Sequence, residues 1–191
     1  MQSDRTAMRG YTLIEILVVV AIIGIMSLVT VPQFVAYQQS SALKGAMRNF
    51  NADLRNCRQL AVARYVQVRL EFTSANSYSF YYRTTPTAAW QTMPQALLTV
   101  LRVSGVSGNK KTLAKPMTFI NGDFLDLNSP ANGLPDIIFN TDGTLTFSTD
   151  PTAPKPWGSI TISTPWKKVY NNRMIIKVYT TGKIDTVGSH S

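Results

Sequence analysis

Few side chains in this 191-residue chain are of the types that do covalent or acid–base chemistry, and their spacing narrows them further. The one histidine, His190, is the penultimate residue in a Gly/Ser-rich end, which removes most histidine-dependent catalysis. The one cysteine, Cys57, excludes an intramolecular disulfide and a cysteine-based zinc site. Asp123, Asp126, Asp136 and Asp142 stand among Gly, Asn and Pro, the setting of turn formers and caps rather than of a paired general acid and base. Asn121, Asp123, Asp126 and Asn128 offer oxygens of the kind calcium takes, but not at the spacing of an EF-hand loop. No glycine-rich motif cradles a phosphate. These residues predict no catalytic group, no metal and no cofactor.

Charge leaves one chemistry open. Nineteen Lys and Arg against ten Asp and Glu give a net charge of +9. Lys110, Lys111 and Lys115 fall in one stretch, Lys155, Lys167 and Lys168 flank Trp157 and Trp166, and Arg173, Lys177 and Lys183 lie near the end. Lysines on phosphates with aromatics stacking on bases would suit DNA, with a diagnostic salt dependence. Lys110, Lys111, Lys115, Lys167, Lys168 and Lys183 are the candidate basic surface.

The residue most in need of a partner is Glu15. It opens an uncharged run from Ile16 to Leu43, whose most apolar part ends at Val31. A carboxylate in such a run costs about 2.5–3.5 kcal/mol at mid-bilayer and less near an end, which reads as functional with a partner to be found. As a helix, the roughly 21 residues from Tyr11 to Val31 rise about 31 Å, the thickness of a bilayer core. Arg5 and Arg9 precede the span and no basic residue closely follows it, which places a short N-terminus in the cytoplasm and the rest of the chain outside. Three plainer readings are a removed secretory signal, an ordinary anchor and a buried core helix. The run exceeds the roughly 7–15 apolar residues of a standard signal, and Phe34-Val35-Ala36 is a poor cleavage site. A core helix is rarely apolar on all faces in so small a protein. At 45% apolar and 15% charged residues, the chain suits one domain plus an anchor.

Beyond the span, Leu43, Met47, Phe50, Leu54, Cys57 and Ala61 recur at steps of four and three, one stripe of an amphipathic helix that a sheet must cover. Cys57 is on that stripe and is therefore a small buried hydrophobe rather than a nucleophile. Lys44, Arg48, Arg55 and Arg58 share a flanking face: a solvated surface, or a basic strip for an acidic neighbour or a polyanion. From Val66 the period changes to two, with Val66, Val68, Leu70 and Phe72 alternating with polar residues. Further strands are predicted at Tyr78 to Arg83, Leu97 to Val103, Asp136 to Phe139, Leu145 to Phe147, Ser159 to Ser163 and Arg173 to Tyr179. Turns are predicted at Asp142-Gly143, Pro156-Trp157-Gly158 and Thr181-Gly182. Thr84 to Pro94 and Ser104 to Lys115 read as long loops and Gly188 to Ser191 as a frayed tail. The fold class is α+β, a long N-terminal helix packed on antiparallel sheet. Its organisation is a polar start over 1–10, which becomes a cleaved cytoplasmic leader only under the resemblance given next, a transmembrane helix over 11–31, an amphipathic continuation over 32–65 and a β-rich exported domain over 66–191.

Arg9-Gly10-Tyr11-Thr12-Leu13-Ile14-Glu15 resembles the class III signal of type IV pilins and type II secretion pseudopilins. The resemblance implies that a prepilin peptidase cuts after Gly10 on the cytoplasmic side, that the apolar helix is retained, and that Tyr11 becomes the N-methylated first residue. Phenylalanine is usual at that place. Glu15 matches the glutamate that pairs with the N-terminal amine of a neighbouring subunit during assembly. Pro32 falls where many pilins carry a helix-distorting proline, and Gly24 near the start of the segment that loosens in filaments. The physics agrees: proline lacks an amide hydrogen and clashes one turn back, near Leu28, so a kink within one helix is predicted, a helix end at the membrane surface being the alternative.

A narrower likeness is to the GspH/FimT family of minor pseudopilins. It rests on Leu54-Arg55-Asn56-Cys57-Arg58-Gln59-Leu60-Ala61-Val62-Ala63-Arg64, on Ile138-Phe139-Asn140-Thr141-Asp142-Gly143-Thr144, and on Arg173 to Tyr179 followed by Thr181-Gly182-Lys183-Ile184. The stretch from Tyr78 to Asn132 matches nothing in that pattern. The resemblance implies a pilin-like fold and a non-enzymatic, H-type subunit in the filament of a type II secretion system or a related type IV pilus. Its partners would be prepilin peptidase, other pilin or pseudopilin subunits, an inner-membrane assembly platform and membrane lipid. Its location would be the bacterial inner membrane, single-pass, with the C-terminal domain periplasmic. The alternative is a DNA-binding minor pilin for natural transformation, whose basic motif would fall at Gly182-Lys183-Ile184-Asp185.

Overall fold

The stripe Leu43, Met47, Phe50, Leu54, Cys57 and Ala61 is buried throughout, none of its members more than 1% exposed. It belongs to α1 (Leu13–Arg64), which is helical through Pro32. A computed structural model of the chain describes residues 11–101, 103, 105–121, 136–147, 156–166 and 173–188. Two units are distinguished, Met1–Gln39 and Ser40–Ser191.

In the first unit the described part is the apolar portion of α1. Leu13, Ile14, Leu17, Val20, Ile23, Ile25, Met26 and Val31 are all exposed, none of them buried by the described residues. This stretch is long and apolar enough to cross a membrane. A core helix would be buried, so that reading is excluded.

In the second unit, α1 ends at Arg64 and Tyr65 takes a left-handed backbone (φ 53°) that lets the amide of Val66 reach the carbonyl of Ala61 at 3.2 Å. Then come β1 (Gln67–Ser74), β2 (Ser77–Arg83), β3 (Gln91–Thr92), α2 (Gln95–Val100), β4 (Val106–Ser107), β5 (Lys110–Thr112), β6 (Thr118–Asn121), β7 (Ile137–Phe139), β8 (Leu145–Phe147), β9 (Trp157–Ser163), β10 (Arg173–Tyr179) and β11 (Ile184–Gly188). One sheet has the order β4-β5-β2-β1-β7-β8, with β3 also on β2; the other has β11-β10-β9-β6. Every pairing is antiparallel. The fold class is therefore α+β, a long N-terminal helix with antiparallel sheets.

The helix stripe meets both sheets through aromatic rings. Phe50 of α1 lies 5.2 Å from Tyr78 of β2 and 5.1 Å from Phe119 of β6, centroid to centroid, and Phe72 of β1 lies 4.9 Å from Phe119. Burying each such side chain stabilises the fold by about 1.5–3 kcal/mol. On β1, Val68, Leu70 and Phe72 are buried while Arg69 and Glu71 reach solvent, as the alternation predicts.

The strand predicted at Leu97 to Val103 is instead α2. Its run Leu97-Leu98-Thr99-Val100-Leu101 has no helical or strand period of its own, and Pro94 at the N-cap starts a helix whose Leu97 and Leu98 amides both donate to the Pro94 carbonyl. Leu98 and Leu101, three apart, face the core. The two predicted loops hold short strands, β3 in the first and the β4–β5 hairpin, turned at Gly108 (φ 64°), in the second. Trp157 and Gly158 are not a turn but the start of β9, paired with Tyr179 and Val178. Gly188 belongs to β11, opposite Met174, rather than to a frayed tail.

Candidate functional site

The first turn of α1 is set by a local pair. The amide of Glu15 donates to Thr12 Oγ1 at 3.3 Å and to the Thr12 carbonyl at 3.1 Å, so Thr12 caps the helix. Thr12 and Glu15 have the Thr-x-x-Glu spacing of a capping box, a signal legible in the sequence that the reading above passed over. A carboxylate there also faces the positive end of the helix dipole. Glu15 and Tyr11 are exposed, with no partner among the described residues, while Gly10 lies outside those residues.

Further along, Ser27 Oγ donates to the Ile23 carbonyl at 2.7 Å and Thr30 Oγ1 to the Met26 carbonyl at 2.9 Å. Both hydroxyls are satisfied within the helix, which makes them compatible with lipid. Pro32 offers no amide to the Leu28 carbonyl, and a Cβ on Gly24 would meet nothing within 4 Å.

In the second unit, the three stretches of the narrower likeness meet at one side chain. Arg58 Nε donates to the carbonyl of Gly143, in the β7–β8 turn, at 2.9 Å. A Cβ on Gly182, in the β10–β11 turn, would overlap both the Gly143 carbonyl oxygen and the Arg58 guanidinium, and Gly182 has φ 86°. The amide of Leu145 donates to the Thr180 carbonyl at 2.8 Å, so the two turns are also joined by backbone.

Of the candidate basic surface, four of the six lysines lie among the described residues, and they differ in setting. Lys110 and Lys115 are exposed. Lys111, by contrast, turns inward from β5: its Nζ lies 2.6 Å from Asp53 Oδ2 on α1, and the two side chains are 12% and 4% exposed. Tyr78 donates its hydroxyl to the same oxygen at 2.6 Å. Burial pushes the Asp53 carboxyl up, against the lowering by Lys111 and Tyr78, and pushes the Cys57 thiol and the Tyr78 hydroxyl well up. Cys57 is thus a buried hydrophobe with its thiol held protonated. Lys183 is exposed but paired with Asp185 at 2.8 Å, which raises its pKa, and it lies over the Tyr179 ring. Lys167 and Lys168 lie outside the described residues, as do Asp123, Asp126, Asn128, Lys155 and His190.

On the outer face of the larger sheet, Arg69 binds Asp136 Oδ2 through Nε at 2.9 Å, and Arg83 stacks on Trp90 at 4.3 Å. Lys177 lies over Trp157 at 4.8 Å. These contacts, across 67 residues for Arg69 and Asp136, carry no local sequence signal.

An antiparallel domain thus follows a helix long and apolar enough to cross a membrane, with Thr12 and Glu15 at that helix's start. Residues 5–31 match the family described as the prokaryotic N-terminal methylation motif. Over 44 residues the chain is 46% identical to the type IV major pilin protein PilA of Myxococcus xanthus (strain DK1622), covering 23% of this chain and 20% of that one. The match thus spans about one-fifth of the length of the curated relative. Among solved structures, the minor pseudopilin EpsH of the Vibrio cholerae type 2 secretion system is similar over 78% of this chain and 94% of its own, at 13% identity and a TM-score of 0.45. The type IV minor pilin FimU of Pseudomonas aeruginosa is similar over 79% and 92%, at 14% identity and a TM-score of 0.49. Over its N-terminal segment, the chain thus carries a methylation motif of the prokaryotic N-terminal type and is similar to a type IV pilin.

Proposed function

We propose that the chain is a minor, H-type subunit of a pilin or pseudopilin filament: inserted in the bacterial inner membrane, cut by prepilin peptidase between Gly10 and Tyr11, methylated on Tyr11, and assembled through α1. The observation that carries this reading is Glu15 in the first turn of a helix whose apolar side chains are exposed among the described residues. In lipid, that carboxylate needs a cation, and the amine of a neighbouring subunit's first residue supplies one. The short leader stays cytoplasmic and residues 66–191 are periplasmic. The subunit works by assembly and not by catalysis, beside an assembly platform and membrane lipid, in a type II secretion system or a related pilus.

The H-type assignment is supported by Arg58, Gly143 and Gly182, one from each of the resembling stretches, meeting at a single point. The DNA-binding alternative is weakened, because Lys111 is paired with Asp53 and Lys183 with Asp185. Helix distortion at Gly24 and Pro32 belongs to the same reading, as the place where α1 yields on assembly.

Glu15→Ala tests it. Removal of residues 1–10 should proceed as in the parent chain while incorporation into filaments falls by at least about tenfold, as a lost buried ion pair would give. Incorporation unchanged by the substitution would contradict the reading.

A further inference from the structure

The outward side of α1 in the second unit carries a row of which only the last member, Arg58, is used in packing within the chain, through the Gly143 carbonyl. Lys44, Arg48, Asn51, Arg55 and Arg58 follow one another at steps of 4, 3, 4 and 3, the spacing of a seam that a second helix would meet along its length. The row extends about 21 Å at 1.5 Å per residue. Lys44, Arg48 and Arg55 are exposed, and Asn51 Oδ1 accepts from Arg55 Nε at 3.1 Å, holding that guanidinium along the row. At its end lies a pocket of about 340 Å³ lined by Arg55, Arg58, Gln59, Gly182, Lys183 and Ile184.

In the pocket Lys183 is paired with Asp185, but among the described residues no carboxylate pairs with the cations of the row itself. From Ser40 to Arg64 the helix has five cations and one acid, Asp53, which is buried on the opposite side against Lys111. Among the described residues, none of the ion pairs involves Lys44, Arg48, Arg55 or Arg58. A second copy would set this row against its own like charges, at a cost for each facing pair. A nucleic acid would find phosphate partners, but the row and pocket hold no aromatic side chain on which a base could stack.

We infer that this cationic seam docks an acidic helix of a different protein chain, one carrying Glu or Asp at matching steps of four and three. The partner is thus unlike this chain rather than a second copy. The inference deepens the filament reading by specifying one neighbour's chemistry, and it rests on that reading only for where the neighbour is met.

The test uses the full-length chain in lipid nanodiscs and three fluorescent probes. They are a helical peptide with glutamates in one row at those steps, a peptide of the same composition with the glutamates spread around the helix, and a short DNA duplex. The row peptide should bind about tenfold more tightly than the spread one, as a few aligned ion pairs would give. Arg48→Glu with Arg55→Glu should abolish that preference, and a lysine-row peptide should then bind the double variant but not the parent. Equal binding of the two glutamate peptides, or tighter binding of DNA than of the row peptide, would overturn the inference. So would an interchain disulfide formed readily by Arg48→Cys, since Cys57 is buried and only a second copy on the seam would supply the facing thiol. Leader removal, read by mass on the parent chain, separates the two proposals. A chain that keeps its leader but prefers the row peptide defeats the filament reading alone, and a processed chain without the preference defeats the seam alone.

Discussion

The carboxyl of Asp53 shows how a single buried group binds the sheet to the helix. Its Oδ2 accepts from Lys111 and Tyr78, each at 2.6 Å, so α1, β5 and β2 converge on one atom. Burial raises its pKa above the ordinary 3.8 despite both partners. A carboxyl raised in the folded state binds its proton more tightly there than in the unfolded chain. Its contribution is then most favourable below the ordinary value and declines as pH rises through the raised one. Lys111→Ala removes the opposing charge and pushes the carboxyl higher still. At pH 8 the loss should be about 3–5 kcal/mol, the order expected when one partner of a buried pair is removed. Towards pH 4 protonation relieves it and the loss should shrink. Urea unfolding of the full-length chain in detergent at the two pH values decides this, and equal losses would contradict the account. Lys111 reads from sequence as part of a basic cluster because its partner is 58 residues away; no local spacing reveals a pair of that separation.

At the scale of elements, what was legible follows from period. The stripe of α1, the alternation of β1 and the span of β10 each repeat over seven residues or more, and the structure has them where the pattern puts them. The two-residue strands β3 and β4 and the three-residue β5 are too short to show a period, and β6 went unpredicted. The six-residue α2 is a run of apolar residues that either element could hold, and Pro94 decided it. The meeting of the β7–β8 and β10–β11 turns at Arg58 depends on tertiary placement, although its glycines mark both turns in the sequence. Gly182→Ala tests that junction. It meets both a φ of 86° and a clash with backbone, and should cost about 2–4 kcal/mol. Gly105→Ala has a similar φ of 75° but open space, and should cost about 1–2 kcal/mol. Similar melting temperatures for the two variants would show that the turns are not locked together there.

For the whole molecule, the division of labour was legible in the sequence, because an uncharged apolar run and a period-two domain differ in composition as well as pattern. The apolar part of α1 is exposed among the described residues, and the second unit has a core of its own around Phe50, Tyr78 and Phe119. If such a molecule is cut at all, it keeps its apolar helix only where the cut falls on the near side of that helix. Intact-mass measurement of the protein extracted from membranes, with and without prepilin peptidase, tests that claim most directly. The account predicts a chain lacking residues 1–10 and carrying one added methyl group on Tyr11, with Gly10→Ala blocking the change. A chain that stays uncut beside active peptidase, or one cut beyond Val31, would contradict it.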